Sequence, residues 1–258
     1  MKNTIRAIVL DWAGTTVDYG CFAPVDAFIA AFAHFGIVPT MEETRAPMGM
    51  QKWAHIEQML SGERLGALWR EKHGRAHTQH DIDDIYRQFE PALFAVLSSH
   101  AEPLPGVLET IAKIREMGIA IGSTTGYTQA MMDVVVPLAK AKGYAPDCIV
   151  CPDDTHGIGR PHPYMLWRNL EKLGVRSIHE ALKIGDTAAD ILEGKNAGCL
   201  SVGVLKGSSM LGLTEAELSA MRPAEAQALF DIARKNYHAV GADYVIDSIT
   251  DLPDLIML

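Results

Sequence analysis

An α/β fold, in which helices cover both faces of a parallel sheet, is what this sequence predicts, and three observations lead to it. Short apolar runs rich in β-branched residues recur at residues 5–10, 119–122, 148–150, 181–184, 200–204 and 243–246. From residue 103 onward these runs alternate with segments of helical period, the arrangement that builds parallel strands covered by helices. Residues 19–100, in contrast, carry only helical patterns. The sum is a Rossmann-like parallel sheet core, residues 1–18 and 101–258, with an inserted α-helical cap domain at residues 19–100.

The first apolar run stops abruptly at Asp11, and Gly14, Thr15 and Thr16 follow. That puts a carboxylate at the C-terminal end of a strand, where open α/β sheets bind their ligands. Pro24 suits a first helical turn, and Val25, Phe28, Ile29 and Phe32 share one face until Gly36 closes the helix. Thr40-Met-Glu-Glu43 is a capping-box pattern. Further helices are predicted over 51–60, 63–72 and 81–97, the last with Ile82, Ile85, Tyr86, Phe89 and Leu93 along one side. Pro103-Leu-Pro-Gly106 marks the return to the core, whose helices are expected over 107–117, 128–141, 163–173, 188–197 and 223–235.

A chain of 258 residues, 48% hydrophobic and 21% charged, reads as a soluble globular protein large enough for one domain with a sizeable insertion. Its net charge of −9, with no run of Lys and Arg, argues against a nucleic-acid partner. An anionic small molecule stays open, because a few local cations set the field inside a cleft. The absence of a charged-then-apolar leader and of a long apolar run predicts a cytoplasmic protein without a membrane partner. Cys21, Cys148, Cys151 and Cys199 are scattered. Cys148-Ile-Val-Cys151 matches C-x-x-C but lies in an apolar run, so buried reduced thiols are expected there rather than a redox or zinc pair.

Parallel strands bring their C-terminal loops to one edge. These loops carry Asp11-Trp-Ala13-Gly-Thr15, then Ser123-Thr-Thr125-Gly126-Tyr127, then Gly159-Arg160-Pro161, then Gly185-Asp186-Thr-Ala-Ala-Asp190. Hydroxyls and N–H groups suit phosphate oxygens, and an arginine can fork onto them. Taken singly each loop also reads as a turn or helix cap. Together and in this order they resemble the signature loops of the haloacid dehalogenase superfamily of phosphotransferases, and the insertion resembles that superfamily's helical cap. The resemblance implies Asp11 as nucleophile, forming an aspartyl-phosphate, and as a ligand of Mg²⁺ with Asp186 and the Ala13 carbonyl, Asp190 supporting. It also implies that Thr125, the Gly126 N–H and Arg160 hold the phosphoryl oxygens, with Ser123 and Thr124 as alternative hydroxyls.

The superfamily's usual Asp-x-Asp is broken here, since Ala13 stands where a general acid would protonate an ester's leaving oxygen. Another leaving-group device is needed. Pro47-Met48-Gly-Met-Gln-Lys52-Trp-Ala-His55 offers a lysine, whose amine condensed with a substrate aldehyde makes an electron sink for a departing carbon. Met48, Met50 and Trp53 are the apolar neighbours expected to keep that amine neutral, and His55 shares its helix face. A solvated surface lysine is the ordinary alternative. At these positions, and in Asp11-Trp-Ala-Gly-Thr-Thr-Val-Asp-Tyr-Gly-Cys21, the chain resembles the phosphonoacetaldehyde hydrolase, or phosphonatase, family. Its Thr155-His-Gly-Ile-Gly159 loop and His162 depart from that family's pattern. The resemblance implies a small phosphonate substrate, Schiff-base chemistry at Lys52, and a homodimer through the cap helices. Cys21, Tyr127 and Met48 are candidates to line the pocket, with plain packing an equal reading. A phosphomonoesterase of the same superfamily and a non-catalytic phospho-ligand sensor are the rival functions.

Overall fold

The computed structural model describes residues 5–257. Six parallel strands form its sheet: β1 (Ala7–Leu10), β2 (Ala120–Thr124), β3 (Cys148–Val150), β4 (Ala181–Gly185), β5 (Leu200–Val204) and β6 (Tyr244–Ile246), in the order β3-β2-β1-β4-β5-β6. β1 lies between β2 and β4, with Leu10 level with both Ser123 and Ile184. Every residue of β1 is buried, because helices cover both sheet faces and an Ala-Ile-Val-Leu strand has no polar side to expose. The predicted strands agree in place and number with those observed.

Between β1 and β2 come α1 (Phe22–His34), α2 (Met41–Arg45), α3 (Lys52–Ser61), α4 (Glu63–His73), α5 (Gln79–Leu97) and α6 (Val107–Glu116). The apolar stripe of α1 packs against α5, where Phe28 stacks on Phe89 with ring centroids 4.2 Å apart. Burying each such ring stabilises the helix pair by roughly 1.5–3 kcal/mol. The capping box at Thr40 is present, with the Glu43 N–H donating to the Thr40 hydroxyl and the Thr40 N–H to the Glu43 carboxylate.

The remaining helices are α7 (Gln129–Ala141), α8 (Tyr164–Leu173), α9 (Ala188–Ala197), α10 (Glu215–Ala220), α11 (Pro223–Ala239) and α12 (Leu252–Met257). α10 and α12 do not follow from the apolar pattern; both have six residues, too short for a periodic stripe. No helix among the described residues is long and apolar enough to cross a membrane. All four cysteines are free and buried.

Candidate active site

Asp11 follows the central strand directly, and its amide is tied to the Ile184 carbonyl at 3.0 Å. Its buried carboxylate accepts one hydrogen bond at Oδ1, from Arg160 Nη2 at 2.9 Å, and Oδ2 has no partner among the described residues. Arg160 comes from the loop after β3. Its nitrogens face three carboxylates, Nη2 at Asp11, Nη1 at 2.9 Å from Asp190, and Nε at 3.0 Å from Glu193. Burial alone would pull this guanidinium down, and the three carboxylates together hold it above its usual value.

Asp186 follows β4, and Asp190 sits in the first turn of α9. Oxygens of Asp11, Asp186 and Asp190 all lie within 4.8 Å of one another. Burial and then the Asp11 and Asp190 charges push Asp186 well above the carboxylate range. Asp190 behaves differently. Burial opposes its ionisation, but Arg160 and Lys183, the latter 2.7 Å away, hold it below the usual range. Both Asp190 oxygens are occupied, the second by the hydroxyl and N–H of Thr187, whereas Asp11 keeps one free. Four buried carboxylates, those of Asp11, Asp186, Asp190 and Glu193, thus face two cations, Arg160 and Lys183. The surplus matches one divalent ion.

The end of β2 and the residue after it separate the three hydroxyls of Ser123, Thr124 and Thr125. Ser123 accepts from Trp12 Nε1 at 2.9 Å and Thr124 donates to Glu193 at 2.9 Å, which turns both away. Thr125 alone of the three lines the cavity above Asp11.

The helix α3 begins at Lys52, after Gln51 caps it by accepting from the Ala54 N–H at 3.0 Å. Lys52 is buried, with Nζ 5.0 Å from the centre of the Tyr127 ring and 5.9 Å from that of Phe28. No carboxylate among the described residues is in ion-pair contact with it, and burial pulls its pKa below the ordinary lysine value. Of the apolar neighbours expected for it, Met48 shares its cavity, but Trp53 turns aside to donate to Asp83 at 2.7 Å and Met50 faces a different groove. His55 stacks on Phe28, centroids 3.9 Å apart, and its Nε2 lies 2.9 Å from the Thr44 carbonyl. That contact makes Nε2 the N–H nitrogen and leaves Nδ1 as the acceptor. Burial and the Lys52 charge pull His55 well below its usual value. His55 stands behind Lys52 rather than on the cavity wall.

Both halves open on one small cavity, with Asp11, Ala13, Thr125, Gly126, Tyr127 and Arg160 on one side and Cys21, Met48 and Lys52 on the other. The seam is tight. A Cβ at Gly126 would come within 2.5 Å of the Met50 carbonyl oxygen and 2.9 Å of that of Gly49. Backbone therefore meets backbone there, and only glycine fits.

A family profile described as haloacid dehalogenase-like hydrolase matches residues 5–198, and one described as HAD-hydrolase-like matches 157–252. The chain is 44% identical over 252 residues to the phosphonoacetaldehyde hydrolase of Bacillus cytotoxicus, covering 98% of this chain and 95% of that protein. The chain belongs to the phosphonoacetaldehyde hydrolase family of haloacid dehalogenase-like hydrolases. Within that family it is also 47% identical over 253 residues to the bifunctional phosphonoacetaldehyde hydrolase/aminoethylphosphonate transaminase of Clostridioides difficile. That alignment takes in 98% of this chain and 40% of the relative, so the chain spans well under half of the bifunctional protein. A crystal structure of a phosphonoacetaldehyde hydrolase like protein from Oleispira antarctica superposes with a TM-score of 0.95 at 36% identity, covering 99% of this chain and 92% of the other.

Set against the family's loops, the structure adds residues that sequence reasoning misses. Glu193 and Lys183 belong to the buried charge cluster, and Thr187 and Gly49 join the cavity wall. A signal for the first two exists in the sequence. A lysine in the middle of a buried Ala-Leu-Lys-Ile-Gly strand needs anionic partners, and Glu193 lies one helical turn after Asp190.

Proposed function

We propose that this chain is a phosphonoacetaldehyde hydrolase, cleaving the P–C bond of its small phosphonate substrate to acetaldehyde and phosphate. The observation that carries this reading is that Asp11 and Lys52 line the same small cavity. Residues 19–100 act as the cap that brings Lys52 to the core.

The neutral Lys52 amine condenses with the aldehyde, water leaves, and the imine nitrogen takes up one proton from solvent to give an iminium one carbon away from the C–P bond. Arg160, Thr125 and the Gly126 N–H orient the phosphonate oxygens with phosphorus towards the free Oδ2 of Asp11. That oxygen attacks phosphorus as the P–C bond breaks, and the electrons pass into the iminium to leave an enamine on Lys52. Protonation and hydrolysis of the enamine release acetaldehyde, and water then cleaves the aspartyl-phosphate. Asp11, Asp186 and the Ala13 carbonyl would hold Mg²⁺, with Asp190 in support; when bound, this hard cation neutralises charge between carboxylate and phosphonate. The fit rests on the anionic surplus and on the raised pKa of Asp186. Ala13 leaves no acid to assist an ester, which weighs against a phosphomonoesterase.

The test is incubation with phosphonoacetaldehyde and Mg²⁺, following acetaldehyde and phosphate together, with borohydride added in parallel to reduce an adduct onto Lys52. Equal release of both products and a trapped adduct are expected. Phosphate release from sugar phosphates that survives loss of Lys52, with no adduct, would overturn the proposal. A cytoplasmic location suits four free buried thiols. A homodimer through the cap helices would use the outer face of α1, around Ala30 and Ala33, because its inner stripe is already packed on α5. Light scattering reads out that assembly.

A further inference from the structure

Arg45, the last residue of α2, ties the inserted helices to the loop after β5. Its Nη1 donates to the Gly20 carbonyl at 2.8 Å and to the Ser209 carbonyl at 3.3 Å, and its guanidinium lies 5.0 Å from the centre of the Phe22 ring. Gly20 is pinned from the other side as well, since its N–H donates to the Gly207 carbonyl at 2.7 Å. Ser209 stands between this arginine and the acidic cluster. Its carbonyl receives Arg45, while its own N–H donates to Asp186 Oδ2 at 2.8 Å.

Space around the fork is filled, for a Cβ at Gly212 would come within 2.9 Å of Arg45 Nε. Even so, Arg45 Nε and Nη2 are buried without an acceptor among the described residues. Idle buried donors weaken a contact. The tie therefore holds while the inserted helices are seated and releases without the loss of a full set of bonds.

We infer that Arg45 is the latch of the seated cap, a positioning residue that fixes the Asp186 carboxylate through Ser209 in the arrangement where Lys52 reaches the cavity. The inference rests on the proposed roles of Asp186 and Lys52. Arg45→Met removes the fork and keeps bulk, and Arg45→Lys keeps charge without the planar fork. The two readouts are hydrogen exchange at the amides of residues 208–212 in substrate-free protein, and kcat alongside borohydride trapping at Lys52.

In Arg45→Met, exchange over 208–212 is expected to quicken at least about tenfold and kcat to fall at least about tenfold. The trapped adduct should form to the wild-type extent, because no neighbour of Lys52 is altered. Arg45→Lys should fall between. Unchanged exchange over 208–212 overturns the latch whatever the turnover, and so does quickened exchange with wild-type kcat. Failure of the wild-type protein to trap any adduct sinks the imine chemistry instead, and the exchange comparison still decides the latch. Should Arg45→Met not fold, Gly212→Ala sets a methyl against Nε from the core side and carries the same expectations.

Discussion

Arg160 and Lys52 are both buried cations on the wall of one cavity, and the protein treats them in opposite ways. Arg160 faces three carboxylates and is held above its usual pKa. Lys52 has aromatic rings instead of anions around its ammonium group and is pulled below its own. Burial is common to both, so neighbours decide. On the proposed mechanism, the side that stabilises phosphorus-centred charge keeps its cation charged at any working pH, and the side that attacks a carbonyl keeps its amine ready to lose a proton.

The largest effects should come from removing each half separately. Asp11→Asn and Lys52→Arg are each expected to lower turnover roughly a thousandfold or more. They should part in the trapping assay, with Asp11→Asn still giving a reduced adduct and Lys52→Arg giving none. If both lose the adduct, the two halves do not act separately and the contrast is broken.

Stability should then move in opposite directions. Arg160→Met strands the Asp11 carboxylate and leaves Lys183 as the single cation facing Asp190 and Glu193, and it is expected to destabilise by about 3–5 kcal/mol in urea unfolding. Lys52→Met removes an unpaired buried amine and should stabilise by about 1 kcal/mol at neutral pH while abolishing activity. A loss of stability in Lys52→Met would show that its surroundings favour the charged form after all.

A subtler check is the pH dependence of trapping. Lys52 is lowered, so its neutral fraction grows with pH and saturates earlier than an ordinary lysine's would. The rate of adduct formation should therefore climb with pH and level off at a lower pH than it would for a free lysine. A rise that continues in step with free lysine would remove the effect of burial.

The smallest change is expected after α5, where a partly exposed histidine has one anionic partner. His100 Nδ1 lies 2.8 Å from Asp18 Oδ1, and that bond raises the histidine above its usual pKa. A raised folded value means the stabilisation is full below the unfolded histidine pKa of about 6.5 and is lost as pH rises through the folded one. His100→Asn should thus lower Tm at about pH 6, and the gap to wild type should narrow as pH rises through the raised folded value. A Tm gap that widens towards alkaline pH would contradict the sign.

The core half is the more legible in sequence, and for a physical reason. Asp11, Thr125, Arg160 and Asp186 lie where apolar strands end, and the end of a parallel strand has a fixed place in the sheet. Lys52 is legible only indirectly, through the missing acid at Ala13, because a lysine opening a helix looks like any solvated lysine. Glu193 is hidden for a similar reason, since Glu on a helix reads as surface until Arg160 is known to lie beside it. Which hydroxyl faces Asp11 depends on strand pleat and on the Trp12 contact to Ser123, neither of which a Ser-Thr-Thr string contains.

The seam at Gly126 has a consequence for how such a site can diversify. Where two main chains touch, no side chain is available to exchange for another, so this contact admits neither gradual loosening nor gradual tightening. Gly126, whose proposed part in the reaction needs only its backbone N–H, should tolerate replacement as poorly as the proposed nucleophile, Asp11. On the proposed function, adaptation towards larger aldehydes would have to begin instead at the buried cavity wall, with the thioether of Met48 and the thiol of Cys21.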